Sequence, residues 1–159
     1  MKSADALERK VKAIASNRKA RHDYEIVQVY ETGIILQGTE VKSLRHGKCS
    51  LLDAYATFTD KNSLELYLVN CHISPYDFGN RENHEPKRQR KLLVNRSEAI
   101  KMRNAVNEKG ITLIPLSIYF SGRFVKVELG LAKAKRKYDK RETLKERDSD
   151  RDIRRTFRV

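Results

Sequence analysis

A chain of 159 residues, 39% hydrophobic and 35% charged, can bury one solvated globular core, and no stretch approaches the roughly 18 apolar residues that a membrane span needs. Its net charge of +13 is concentrated at the ends: residues 1–22 carry seven basic and two acidic groups, residues 131–159 twelve and six, and the 108 between them fifteen and thirteen. A near-neutral body with two cationic ends suits a polyanion, and ends without a wide apolar face favour nucleic acid over a membrane surface.

Residues 1–22 read as a basic arm whose opening, MKSADALERK, has no secretory h-region. Cys49 and Cys71 are the only cysteines and form no CxxC, so reduced thiols in a cytoplasmic protein are expected. From Tyr24 the pattern turns to strands. Residues 24–31 (YEIVQVYE) are β-branched and aromatic, Thr32-Gly33 predicts a turn, and residues 34–37 resume a short strand. Residues 38–45 (GTEVKSLR) predict one helical turn, capped by Thr39 and ended by Gly47, with Val41 and Leu44 on one face. Residues 54–59 and 64–73 alternate about a turn at 60–63, with Leu64, Leu66 and Leu68 on one face.

The stretch 74–91 (SPYDFGNRENHEPKRQRK) is too long and polar for a plain connection and is expected to be mobile or bound to something. A helix follows. Asn95 or Ser97 opens it, Asn95 at capping-box spacing from Glu98; Ala99, Met102 and Val106 form its apolar stripe, and Gly110 ends it. Residues 111–120 and 124–129 close the domain as strands about Ser121-Gly122, with Pro115 marking an edge or a bulge.

Strands, one helix and two more strands is the order of a small Greek-key barrel of the OB type; one helix on a sheet in an α+β sandwich is the competing arrangement. The expected chain is therefore mainly β. A basic arm spans 1–22, an OB-like barrel with one main packed helix and short helical turns spans 23–131, and a basic tail spans 132–159. Within 139–159 only Leu144, Ile153, Phe157 and Val159 are large and apolar, so the tail is expected to be disordered until it orders on a charged RNA channel.

Catalytic patterns are missing. His22, His46, His72 and His84 make no pair at ligand spacing, and His72 points away from its strand neighbour Cys71. There is no nucleophilic triad, phosphate loop or paired-carboxylate motif. Asp148, Asp150 and Asp152 alternate with Arg147, Arg151 and Arg154, as neutralised pairs on a solvated segment do. No enzyme activity, metal or cofactor is expected. RNA binding accounts for more of the chain. Lys87, Arg88, Arg90 and Lys91 place four cations in five residues ahead of an apolar strand and a helix start, a loop suited to tracking phosphates. Lys42 and Arg45 share a helical face and Lys48 lies just beyond; Arg18, Lys19, Arg21 and His22 of the arm and Lys126 of the last strand extend the set. Of Tyr24, Tyr30, Tyr55 and Tyr76, no more than one or two are expected to stack on bases, since most aromatics at strand or helical spacing are core. A general OB module for single-stranded RNA, or an RNA-processing enzyme, are the other readings.

GTEVKSLR, then Gly47-Lys48 and Leu52-Asp53-Ala54-Tyr55, resembles the signature of the bacterial SsrA-binding protein family, small protein B. Residues 17–24 (NRKARHDY), 90–95 (RKLLVN), 130–133 (GLAK) and 139–142 (DKRE) match in the family's order, so the resemblance runs from about residue 15 to residue 147. It implies an OB-like barrel and a role in trans-translation. The family binds transfer-messenger RNA at its tRNA-like elbow, replaces the missing anticodon arm and delivers the RNA to ribosomes stalled on messages without a stop codon. The barrel would occupy the decoding region and the tail the empty messenger channel, with elongation factor Tu met through the RNA complex. Carried over by position, the resemblance implies RNA contacts for Glu31, Val94 and Asn95. It also implies a ribosome-bound tail in which Asp139, Lys140 and Arg141 match the block required on the ribosome, with Lys133, Lys135, Arg136, Lys137 and Tyr138 as the other tail candidates. Val94 is often leucine in relatives, Ala134 often glycine, and Tyr138 in some histidine, so no histidine role transfers to that position.

Overall fold

The computed structural model describes residues 11–79, 83–108 and 110–135. In chain order the elements are β1 (Val11–Ser16), α1 (Arg18–Asp23), β2 (Tyr24–Ile34), α2 (Gly38–Arg45), β3 (Cys49–Ser50), β4 (Tyr55–Phe58), β5 (Leu66–Val69) and β6 (His72–Ile73). Then come β7 (Arg90–Leu93), α3 (Arg96–Val106), β8 (Ile111–Ser121) and β9 (Phe124–Ala134). The antiparallel sheet runs β1-β8-β4-β5-β7-β2-β9, and the β8–β9 hairpin pairing closes its main strands into a ring. β1 extends beside Ser117–Ser121 of β8, while β3 and β6 make a separate short ribbon. This is the expected mainly β architecture with one packed helix. Among the described residues no helix is long and apolar enough to cross a membrane.

Alternation along the strands builds the interior. Leu66 and Leu68 of β5, Leu113 and Ile118 of β8, and Val127 and Leu129 of β9 are all fully buried, and Met102 of α3 joins the same cluster. Each such side chain contributes about 1.5–3 kcal/mol through burial. Pro115 lies in β8 where the register to β9 shifts between Pro115 and Ser117, so a bulge accommodates its missing N–H.

Several local expectations are corrected. Thr32-Gly33 is no turn: β2 runs through it, because buried Thr32 donates its hydroxyl to the Val127 carbonyl at 3.1 Å. Gly33 pairs with both Lys126 of β9 and Leu93 of β7, and a Cβ there would meet Leu93 Cβ at 3.3 Å. The strand expected over 64–73 breaks at Asn70, whose φ of +61° is left-handed. α2 is a full helix whose N-cap is Gln37 rather than Thr39. α3 ends at Val106, ahead of Gly110.

The ordered fold also extends past the 23–131 limits. β1 and α1 lie ahead of residue 23, and β9 runs to Ala134. Asn17 ties these pieces together: its side-chain amide donates to the Leu51 and Pro115 carbonyls, both at 3.2 Å, and its Oδ1 accepts from Ala20 N–H at 3.1 Å. The tail positions Arg136, Lys137, Tyr138, Asp139, Lys140 and Arg141, and the disorder expected of that segment, lie outside the described residues.

Candidate nucleic-acid interface

The basic stretch 87–91 divides into two kinds of residue. Lys87 is exposed, and half-buried Lys91 lies 3.9 Å from Glu65. Arg90 points inward and is fully buried. Its guanidinium bonds to the Glu40 carboxylate and donates to the Cys71 carbonyl at 2.7 Å and the Pro86 carbonyl at 3.0 Å. Arg88 reaches the same carboxylate at 2.6 Å and is largely withdrawn from solvent. Arg90 is therefore not a phosphate contact, and Arg88 is committed mainly to Glu40. Both hold the loop down. Burial alone would raise the Glu40 carboxyl, but bonds from Arg88, the Gln37 N–H and Arg90 outweigh it and hold the group below its ordinary value. His84 completes the anchor, bridging Thr39 Oγ1 and the Ile73 carbonyl, each at 2.9 Å. The described part of the long polar loop is thus bound to the protein's own core.

The remaining cations face outward. Lys42 and Arg45 project from α2, where Lys42 Nζ lies 5.4 Å from the Tyr76 ring centroid. His46 stacks on that ring and Phe78 meets it edge-on, itself 79% exposed. Lys48 pairs with Asp77 at 2.9 Å. On α1, Arg18, Lys19, Arg21 and His22 are exposed; Arg21 reaches Glu128 at 3.3 Å and His22 Nδ1 lies 3.1 Å from Asp23. Such solvated pairs hold little free energy and can exchange partners for phosphates. Lys133 and Lys135 are also exposed. Of the four tyrosines, Tyr55 is exposed, while Tyr24, Tyr30 and Tyr76 are half-buried.

The fold brings Glu31, Val94, Asn95 and Lys126 into one pocket of about 520 Å³. β2 supplies Glu31, β9 supplies Lys126, and the β7–α3 junction supplies Val94 and Asn95. Ile34, Leu93 and Phe124 give it apolar walls, and Glu98 adds a second carboxylate. Glu31 stands opposite Glu128 across β2–β9, a pairing of like charges that needs neighbours to sustain it. Glu128 is held by Arg21 and by the Ser117 hydroxyl at 3.2 Å. Glu31 Oε2 accepts the Tyr119 hydroxyl at 2.5 Å. Burial, then that bond, pushes the Tyr119 phenol well above its ordinary value, so it stays a donor.

The SmpB protein family model matches residues 14–159. The chain belongs to this family. Among its relatives, the SsrA-binding protein of Carboxydothermus hydrogenoformans is 53% identical over 93% of this chain and 97% of its own. That of Geotalea uraniireducens is 54% identical over 89% and 92%. A solved structure described as "tmRNA-SmpB: a journey to the center of the bacterial ribosome" contains a chain 48% identical to this one. It superposes with a TM-score of 0.66 over 82% of this chain and 93% of that one.

The sequence reading did not single out as site candidates Glu98 and Phe124, which line the pocket, Tyr119, which holds Glu31, or His46 and Phe78 beside Tyr76. Asn95 carried two candidate roles, and the geometry separates them. It occupies the N-cap of α3 but makes no side-chain cap hydrogen bond. Asn95→Ala should consequently move the melting temperature by no more than about a degree or two, well short of the ~1 kcal/mol cost of a lost cap. RNA affinity should fall instead. Thermal melts beside an RNA titration check this, and a large drop in melting temperature with unchanged affinity would restore the capping role.

Proposed function

We propose that this protein is the RNA-binding adaptor of trans-translation. It binds the tRNA-like part of transfer-messenger RNA and carries it to stalled ribosomes in the cytoplasm, elongation factor Tu being met through that RNA complex. Its role is binding and positioning, with no chemical step of its own. The observation that carries the reading is the convergence of Glu31, Val94, Asn95 and Lys126 in one pocket of a chain that belongs to the SmpB family. Exposed cations on α1 and α2 supply the phosphate contacts around it, and the residues from Arg136 onward are proposed to enter the empty messenger channel. The name of the relatives, SsrA-binding protein, and the tmRNA and ribosome of the solved relative support this reading.

Sequencing the RNA that co-purifies with the tagged full-length protein tests it. One dominant transcript with a tRNA-like end is expected. A broad mixture of single-stranded RNAs would replace this reading with that of a general RNA-binding module.

A further inference from the structure

The only two cysteines of the chain meet in the fold. β3 and β6 pair antiparallel with Cys49 opposite Ile73, and Cys71 stands two residues before Ile73, on the same face. The two sulfurs are therefore diagonal neighbours across the ribbon, 3.8 Å apart with one thiol donating to the other, although 22 positions separate them in the chain. A disulfide holds its sulfurs at about 2.05 Å, so closing one here takes roughly 1.8 Å of approach.

Exposure gives the two thiols different roles. Cys49 is half-buried and open to a small reagent, whereas Cys71 is fully buried within the main core cluster. The Arg90 guanidinium donates to the Cys71 carbonyl at 2.7 Å, so a buried positive charge adjoins the pair. The bond from Cys49, helped by that charge, holds the Cys71 thiol below its ordinary value. The same bond and burial push the Cys49 thiol up. The pair thus releases one proton well before the other and shares the one that remains. Passing the shared proton from Cys49 to Cys71 puts the thiolate on the sulfur that solvent reaches, and the thiolate is the reactive form.

We propose that Cys49 and Cys71 form a reversible oxidation site, in which Cys49 reacts with a peroxide and Cys71 resolves the product as an intramolecular disulfide. In the first step the Cys49 thiolate attacks one peroxide oxygen. The S–O bond forms, the O–O bond breaks, the sulfur loses two electrons, and the departing hydroxide takes up a proton to leave as water. In the second, Cys71 Sγ displaces the oxygen from the Cys49 sulfenic acid. The S–S bond forms, the S–O bond breaks, and a second water leaves with the Cys71 proton. An external dithiol reverses the link by exchange. Cys71 thereby keeps Cys49 from the irreversible sulfinic and sulfonic acids. The link also fastens the ribbon that carries two loop anchors: the Lys48 carbonyl, which accepts the Ser74 N–H at 3.1 Å, and the Cys71 carbonyl under Arg90. The site stands apart from the Glu31 pocket and does not depend on the function given above.

The test treats folded full-length protein with hydrogen peroxide, then alkylates it in denaturant and weighs it by intact-mass spectrometry. Wild-type protein should lose two hydrogen atoms in mass and both alkylatable thiols while remaining a monomer, and dithiothreitol should restore both thiols. Cys71→Ala should instead gain two or three oxygens at Cys49. Cys49→Ala should keep its buried Cys71 reduced. Wild-type protein that gains oxygens as Cys71→Ala does, or that links into dimers, would show that Cys71 does not resolve Cys49. Thiols that stay reduced in peroxide sufficient to oxidise free glutathione would equally overturn the site. A second measurement needs no variant. The oxidised wild type should melt roughly 5–10 °C above the reduced form, because the link constrains the unfolded chain. A melting temperature that does not rise would show that the ribbon must distort to close the bond, and the assignment of a disulfide to the intact fold would be withdrawn.

Discussion

Glu40→Ala is expected to destabilise the protein by about 3–5 kcal/mol, the cost of breaking a buried ion pair by removing one partner. Arg90 is fully buried and Arg88 largely so, and Glu40 is the carboxylate that both guanidinium groups reach. Without it the Arg90 guanidinium keeps only carbonyl partners among the described residues, from Cys71, Glu85 and Pro86. The helix α2 also loses its start, since Glu40 Oε1 accepts the Gln37 N–H at 2.8 Å. A domain with a typical total of about 5–15 kcal/mol would lose a third or more of its stability. Glu40→Gln keeps the shape and one acceptor but leaves the charges unbalanced, so it should fall between wild type and alanine. Urea unfolding at pH 7 measures all three, and a Glu40→Ala loss below about 1 kcal/mol would show that the triad relaxes without it.

The same carboxylate sets a pH dependence. The Glu40 carboxyl lies lower in the folded chain than its ordinary value, so its ionised form favours folding. That contribution is complete above the unfolded value, about 4.3, and is lost as pH falls through the lower folded value. Glu40→Gln should flatten this acid limb.

How much of this was legible follows from the range over which each residue acts. The β4–β5 pairing, the α3 stripe and the β8–β9 hairpin rest on local alternation or 3.6-residue spacing, and the sequence carries those patterns plainly. Arg90 was misread because four cations in five residues look like one solvated run. Strand periodicity held the correction: Arg90 and Leu92 stand two apart in β7 and both point inward. Glu40 likewise shares the buried face of α2 with Ser43 and Leu44, at i+3 and i+4. β1 escaped because its burial pattern is mostly exposed, with only Ile14 and Ala15 half-buried, so pairing to β8 rather than an apolar face defines it. No local pattern could join Tyr119 to Glu31, 88 residues apart, or bring the Cys49 and Cys71 sulfurs within 3.8 Å. Val94 and Asn95 were reached by resemblance, and their meeting with Glu31 and Lys126 needed the closed ring of strands.

Truncation after Lys135 should abolish tagging of stalled peptides while leaving the barrel and most of its affinity for the tRNA-like RNA intact. The place of the cut matters. Ending the chain at Ala132 would remove Lys133 and Ala134, which pair with Glu25 and Tyr24 of β2, and would therefore disturb the sheet itself. Keeping Lys135 also keeps its N–H bond to the Asp23 carbonyl at 3.3 Å. The removed segment, 136–159, carries ten basic and six acidic residues, so some nonspecific RNA affinity should go with it, most visibly at low salt. The pocket at Glu31 and the exposed cations of α1 and α2 remain, and these carry the proposed RNA contact. Replacing Asp139, Lys140 and Arg141 together with alanine changes the net charge by only one and should give the same separation of functions. Melting curves, an RNA titration and peptide tagging on reconstituted stalled ribosomes, run on one preparation, check the split. Normal tagging by the truncated chain would mean that the barrel alone recognises the stalled ribosome, and the proposed role of the tail in the messenger channel would be withdrawn. Loss of most RNA affinity would instead put the tail on the transfer-messenger RNA, because a purely ribosomal role predicts a deficit in tagging and not in the RNA titration.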